Sequence, residues 1–240
     1  MARPALWGLA GLAVLHTGLW FWGEARLRRD VAEWMAAQRQ KGWIIEAAAT
    51  EQSGWPLAVG LALHGVHMVP AGAQLQLAIR SDLMILRIGL LRPTGLLVRA
   101  EGCQTVDAAG MPPLQVGAGR LQAFVPFTGA DRTISLHGEA LRARSGAGNM
   151  LAIGLLAAKL LLPAAPREWS LAAEARDIVL PPLAPAAFPE TLTDATLAAT
   201  IHGRLSGPGP LPARLALWRD RGGLVQLGRA ALHAPGMELE

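Results

Sequence analysis

The stretch LAVGLALH, residues 57–64, decides how the rest of the chain is read. Leu57, Val59, Leu61 and Leu63 fall on one side, and Ala58, Gly60, Ala62 and His64 on the other. Side chains of a strand alternate between faces, so a period of two with one richer apolar side predicts a half-exposed antiparallel strand. The pattern recurs downstream. Leu75, Leu77 and Ile79 interleave with Gln74, Gln76 and Arg80; Ile134, Leu136 and Ala140 with Thr133, Ser135, His137 and Glu139. Trp169, Leu171 and Ala173 interleave with Glu168, Ser170 and Glu174; Leu197, Ile201 and Leu205 with Thr196, Thr200 and Arg204. Segments 83–88 and 94–100 are apolar on both faces and are expected to lie deeper. VPAG, LRPTG, DAAGMPP, TGAD and SGPGP supply turns between these runs.

Toward the N-terminus the period changes. Residues 24–42, EARLRRDVAEWMAAQRQKG, place Leu27, Val31, Trp34 and Gln38 on one helical stripe with Met35 beside it. Gly42 stops this helix, and Lys41 is favourable at its negative end. Before it, residues 4–23 read PALWGLAGLAVLHTGLWFWG, without a formal charge. As a helix that stretch is roughly 30 Å long, the thickness of a hydrocarbon core. Trp7 lies near one end and Trp20 and Trp22 near the other, where tryptophan favours the head-group boundary. Bulky Trp20-Phe21-Trp22 ahead of Gly23-Glu24-Ala25 makes a poor cleavage site, so an uncleaved anchor is expected rather than a removed signal or a buried helix. The lipid bilayer is then the first partner. Arg26, Arg28 and Arg29 against Arg3 would by charge count place the following domain in the cytoplasm. An N-terminal apolar segment that acts as an export signal argues instead for the periplasm, and we adopt that expectation.

Two more helices are predicted. Asn149 caps MLAIGLLAAKLLL (150–162), which Pro163 ends and which is too short to span a bilayer. Pro212 opens ARLALWRDR, and Gly222-Gly223 closes it. The fold class expected is α+β: an N-terminal transmembrane helix and a stalk helix, then a long, curved, mostly antiparallel β-sheet with two packed helices. The expected divisions are an anchor at 1–23, the stalk at 24–42, and two halves of a β-rich domain at 43–180 and 193–240. The Ala/Pro-rich LPPLAPAAFPETL (180–192) separates the halves, and the second is expected to stop short of a complete sheet.

Composition narrows function by exclusion. Twenty-two basic residues, lysine only at 41 and 159, give a net charge of +4. They are scattered rather than blocked, and few exposed aromatics are expected on the sheet for bases to stack on, so no nucleic acid is expected. The single Cys103 rules out an internal disulfide, lacks a nucleophile motif and reads as an inert thiol. His64 and His67 stand three apart in a strand, on opposite faces by simple alternation, and without an acidic partner nearby in sequence. His137 and Glu139 share a face and form a candidate acid/base pair, read here as the wet side of a sheet. SGAGN before residue 150 lacks the GK[ST] of a phosphate loop, and RDRGG (219–223) fits a helix ending in glycine. No GxSxG, HExxH or CxxC occurs. Neither cofactor nor metal is expected.

What survives is physical. A sheet with one Leu/Val/Ile-rich face and few helices must close on itself or curve into a groove that takes a lipid or another hydrophobic ligand.

Several motifs then combine: Gly42-Trp43 after the stalk, Gly54-Trp55-Pro56-Leu57 opening a strand, and Trp218-Arg219-Asp220 followed by Gly222-Gly223. Together they resemble the bacterial membrane-anchored family known as domain of unknown function 2125. Gly54 is read as permitting an unusual backbone angle, Trp55 as extended before proline, and Pro56 as the first residue of a strand. The resemblance covers most of the chain; His233-Ala234-Pro235 stands where the family usually has Trp-Gly-Pro. It implies a non-catalytic envelope protein bound to the inner membrane, with no catalytic residue to carry over and an envelope protein as a further candidate partner.

Overall fold

The computed structural model describes residues 3–40, 42–70, 77–91, 93–108, 112–128, 132–146, 148, 150–163, 168–181, 189–203, 211–235 and 237–239. Helix α1 (Arg3–Gln40) leads into strands β1 (Trp43–Glu46), β2 (Ala49–Ser53), β3 (Ala58–Pro70), β4 (Leu77–Gly89) and β5 (Gly95–Ala108). There follow β6 (Leu114–Gly117), β7 (Arg120–Pro126), β8 (Arg132–Ser145), β9 (Met150–Leu162), β10 (Glu168–Val179) and β11 (Thr191–His202). A short helix α2 (Leu211–Asp220) precedes β12 (Leu224–Ala234) and β13 (Met237–Leu239). The strands form one 13-stranded sheet in the order β1-β3-β4-β5-β6-β8-β9-β10-β11-β12-β13, with β2 also on β3 and β7 bridging β5 and β8. Every pairing is antiparallel.

The alternating runs become strands, except that Leu57 lies exposed in the turn before β3; 83–88 lies inside β4 and 95–100 inside β5. Gln74, Leu75, Gln76, Arg204 and Leu205 lie outside the described residues, as do Lys41, Asn149 and 182–188. Residues 150–162 are a correction: they are β9, not a helix, paired along their length with β8 and β10. An all-apolar run carries no period, and a strand in mid-sheet needs none. Only α2 therefore joins α1 among the described residues. The anchor and stalk are one continuous helix, and no helix among the described residues is long and apolar enough to cross a membrane. His16 Nε2 lies 2.8 Å from the Pro56 carbonyl, and Trp20 Nε1 donates to the Ala58 carbonyl at 2.7 Å. The last turns of the apolar stretch are thus committed to the sheet. Across the Ala/Pro-rich segment, β10 and β11 pair from Glu168↔His202 to Val179↔Thr191, interrupted at Asp177.

The core sits under α1. Trp20, Leu27, Val59 and Leu61 pack together, and Leu63, Val66 and Leu86 form a second cluster beside them. Leu63 and Val66 are three apart in one strand yet share a face, because Gly65 adopts a left-handed φ of +56° and breaks the alternation. The break is not isolated. Register places Gly65 opposite Asp82, and Asp82 opposite the Gly102–Cys103 bulge. Farther on, Ala140 faces Gly154, and Gly154 faces Asp177. Gly102, Ala140 and Asp177 all have positive φ. A crease therefore crosses the sheet at right angles to its strands. The gap between β6 and β7, opposite both Gly102 and Ala140, lies on the same line. Asp82 accepts the Cys103 N–H at 2.7 Å, satisfying a donor that the bulge removes from the ladder. Beyond the crease Leu141, Ile153, Ile178 and Leu192 stand opposite one another, and three of these four are buried. Among the described residues no helix is in extensive contact with them.

Candidate functional site

The feature with functional content is the apolar face of the sheet. Leu61, Leu86, Val98, Ala123, Leu136, Ala158, Ala173, Leu197 and Ala230 stand opposite one another in that order, from β3 to β12. The neighbouring row runs Leu63, Met84, Ala100, Leu121, Gly138, Leu156, Ala175, Ala195 and Leu232. Directly opposed residues share a face, so both rows are unbroken by charge over most of the sheet. Helix α1 packs most extensively on β1 and β3, and its Leu27 and Val31 share a cavity with Met84, Leu86, Leu96 and Val98 of β4 and β5. From β7 onward the face is half-exposed, and Leu197 is 40% exposed.

Where α1 overhangs the sheet, a cavity of about 360 Å³ opens between them. Leu27, Val31, Trp34 and Met35 of the helix close one side. Met68, Met84, Leu96, Val98 and Phe127 line the other. Met35 on the helix side and Met68 and Met84 on the sheet side make the cavity adaptable, since an unbranched thioether fits irregular apolar partners. Val98 belongs both to the cavity and to the apolar row, so the cavity opens onto the uncovered face. Asp30 and Glu46 are its acidic lining residues.

The opposite face is polar. Arg120, Glu139, Leu155, Arg176, Asp194 and His233 form one transverse row. His137 Nε2 lies 3.2 Å from Glu139, whose carboxylate also meets Arg120 at 3.3 Å. Both members of the pair are exposed by about two-fifths, and they line none of the cavities described here. Their arrangement is that of a solvated ion-pair ladder. Arg176 is held above its ordinary pKa by its hydrogen bond to Glu174 and then by that carboxylate's charge. His64 does have an acidic neighbour, contrary to expectation: Glu51 of β2, at 3.5 Å. Sequence distance hid it, because β2 folds back on β3. Cys103 is a partly buried free thiol. Among the described residues no three His, Cys, Asp or Glu side chains converge to hold a metal.

The motif residues cluster at the two ends of the ordered chain. Gly42, at φ +83°, closes α1 by donating its N–H to the Arg39 carbonyl, and Trp43 begins β1 opposite Pro70. Gly54 has φ +93°, and a Cβ there would meet the Ala58 carbonyl oxygen at 2.6 Å. The Trp55-Pro56 peptide is cis, and Pro56 sits in a turn ahead of β3 rather than in the strand. The Trp55 ring meets Trp20 edge-on at 5.5 Å and His16 at 5.4 Å. The Gly-Trp-Pro turn is therefore the seat on which α1 docks, a role that its local sequence does not reveal. Trp20 is accordingly only 5% exposed, a core residue of that seat and not a free tryptophan at a head-group boundary, whereas Trp7 is 78% and Trp22 70% exposed. Trp218 donates from its ring to the His202 carbonyl at 3.0 Å and lies against Gly203 and Gly223, where a Cβ would collide with the ring. Gly222, at φ +81°, supplies the left-handed residue that ends α2.

No curated protein and no solved structure matches the chain. Residues 20–240 match the sequence model of a family described as an uncharacterised protein conserved in bacteria. That span takes in the α1 seat, the creased sheet and the glycine-backed Trp218, and with it the chain belongs to the bacterial family domain of unknown function 2125.

Proposed function

We propose that this is a non-catalytic, membrane-associated protein of the bacterial envelope that holds the acyl chains of a lipid against the apolar face of its sheet. The observation that carries the reading is the pair of charge-free rows from β3 to β12, covered by α1 only at one end and continuous with the methionine-lined cavity. Leaving such a face in water costs roughly 25 cal/mol for each Å² of apolar surface. A flexible hydrocarbon chain fits it without demanding hydrogen bonds, and the face offers none. Helix α1 supports the membrane side of the reading. Every described side chain from Trp7 to Leu15 is exposed, and the large ones are apolar. From Arg26 onward the exposed side turns to charge, with Arg26–Asp30 and Arg28–Glu24 ion pairs. We place the N-terminal turns of α1 in the inner membrane and the sheet in the periplasm, because an apolar N-terminal segment serves as an export signal. An alkaline phosphatase fused after residue 240 is then active; an inactive, stably expressed fusion removes the periplasmic placement.

The test of the ligand uses the full chain purified in detergent and extracted with organic solvent. Co-purified diacyl lipid is expected in near-stoichiometric amount. Leu136→Glu and Leu156→Glu place a carboxylate in the middle of the face at half-exposed positions that tolerate charge. Each should lower the bound lipid by about tenfold or more, since an unpaired charge against hydrocarbon costs at least a few kcal/mol. Wild-type protein that carries no lipid, or variants that carry as much, would overturn the proposal in favour of an envelope protein that covers the same face.

A further inference from the structure

The two ends of the strands differ in chemistry. At one end lie the Trp55–Leu57 turn before β3, the β4–β5 turn with Leu91, and Phe127 after β7. The same end carries the beginnings of β10 and β12, with Trp169 and Leu224. Register makes this a single edge: Ala58 pairs with Gly89, Gly95 with Pro126, Trp169 with Ile201, and His202 with Leu224. Trp55, Leu57, Leu91, Phe127, Trp169 and Leu224 are all exposed along it, Leu91 to 86% and Leu57 to 67%. The opposite edge is milder. Ile44, Leu114, Met150 and Val179 are exposed there to between 38% and 43%, beside the Arg80–Asp107 ion pair and exposed Arg144, while the apolar edge carries exposed Arg132 and Glu168.

Helix α1 projects from the apolar edge. Its His16 and Trp20 touch Pro56 and Ala58 at that end, whereas Arg39 reaches the Ile45 carbonyl, level with Met68 toward the other. Residues 3–15 therefore extend beyond the apolar edge by about 20 Å. Apolar surface at the base of a helix inserted in a bilayer adds directly to its retention. Trp55, Leu57, Leu91 and Phe127 flank the strands nearest that base, and Trp169 and Leu224 continue the apolar edge farther along the sheet. Tryptophan is the residue type that the boundary between head groups and acyl chains favours.

We propose that this edge of the sheet lies in the head-group region of the bilayer and is the mouth through which acyl chains pass onto the apolar face. The second half of the statement rests on the lipid-holding reading above; the first half does not. With the strand ends seated in the membrane, both apolar rows begin near lipid tails, and a chain can move along them without crossing water.

Single cysteines placed at Leu57, Leu91 and Leu224, and as controls at Leu114 and Met150, in a Cys103→Ser background carry an environment-sensitive fluorophore. The full-length protein is reconstituted into phosphatidylethanolamine–phosphatidylglycerol vesicles, with and without bromine on the acyl chains. Labels at the apolar edge are expected to shift to the blue and to lose emission with brominated lipid, while the two controls do neither. Equal quenching at both edges, or none at the apolar edge, overturns the placement. A label at Leu156→Cys, on the face itself, separates the two readings. Quenching there as well supports passage of chains from the edge onto the face. Quenching at the edge without it overturns the mouth and the lipid-holding face while the membrane seat stands.

Discussion

Trp20→Ala is expected to destabilise the protein by about 3–5 kcal/mol, the range for deleting a buried aromatic side chain. The ring is the centre of the α1 seat. It packs with Leu27, Val59 and Leu61, meets Trp55 edge-on, and donates to the Ala58 carbonyl. Removing it leaves a cavity between helix and sheet and an acceptor without its donor. Trp20→Phe keeps most of the contact area and loses the hydrogen bond, so it should cost less, about 1–2 kcal/mol. Urea unfolding in detergent, followed by far-ultraviolet circular dichroism, reads both variants. A Trp20→Ala protein as stable as wild type would mean that α1 does not dock through this ring. The docked helix, and the cavity beneath it, would then have to be abandoned.

The second large effect concerns the crease. Gly102 has φ +78°, and a Cβ there would lie 2.7–2.8 Å from the Asp82 side chain that receives the Cys103 N–H. Gly102→Val combines a left-handed backbone with overpacking, together about 2–4 kcal/mol of destabilisation. Ala140, on the same line, already bears a Cβ at φ 50°. Ala140→Gly should therefore stabilise by about 0.5–1 kcal/mol, because relief of the left-handed cost exceeds the added entropy of glycine in the unfolded chain. Opposite signs at two positions of one line form a stringent check on denaturation midpoints. If both changes destabilise equally, Ala140 is not held in the left-handed region and the crease is not continuous there.

The strands were legible wherever one face is polar. Thr133, Ser135 and His137 mark one face of β8, and Glu168, Ser170 and Glu174 one face of β10, because a solvated face favours such residues. At β9 the rule fails. Met150 to Leu162 is apolar on both faces apart from Lys159, so neither period two nor 3.6 can be recognised. The candidate site was half-visible for the same reason. An apolar face in need of cover follows from alternation, but its continuity does not, since it depends on which rows stand opposite. His64 with Glu51 makes the same point, as local sequence places no acid beside the histidine and strand pairing does.

Local chemistry settled the period of each strand, the stop signals at Gly42 and Gly222, and an apolar, tryptophan-rich beginning, because these depend on neighbours within a turn or two. Long-range packing settled the rest. It joined the anchor and the stalk into one docked helix and turned Trp20 inward. It aligned Gly65, Gly102, Ala140, Gly154 and Asp177 into one bend, and it left a single apolar face open. Such features are made of contacts between residues tens of positions apart, and their free energy belongs to the register, which no window of sequence contains.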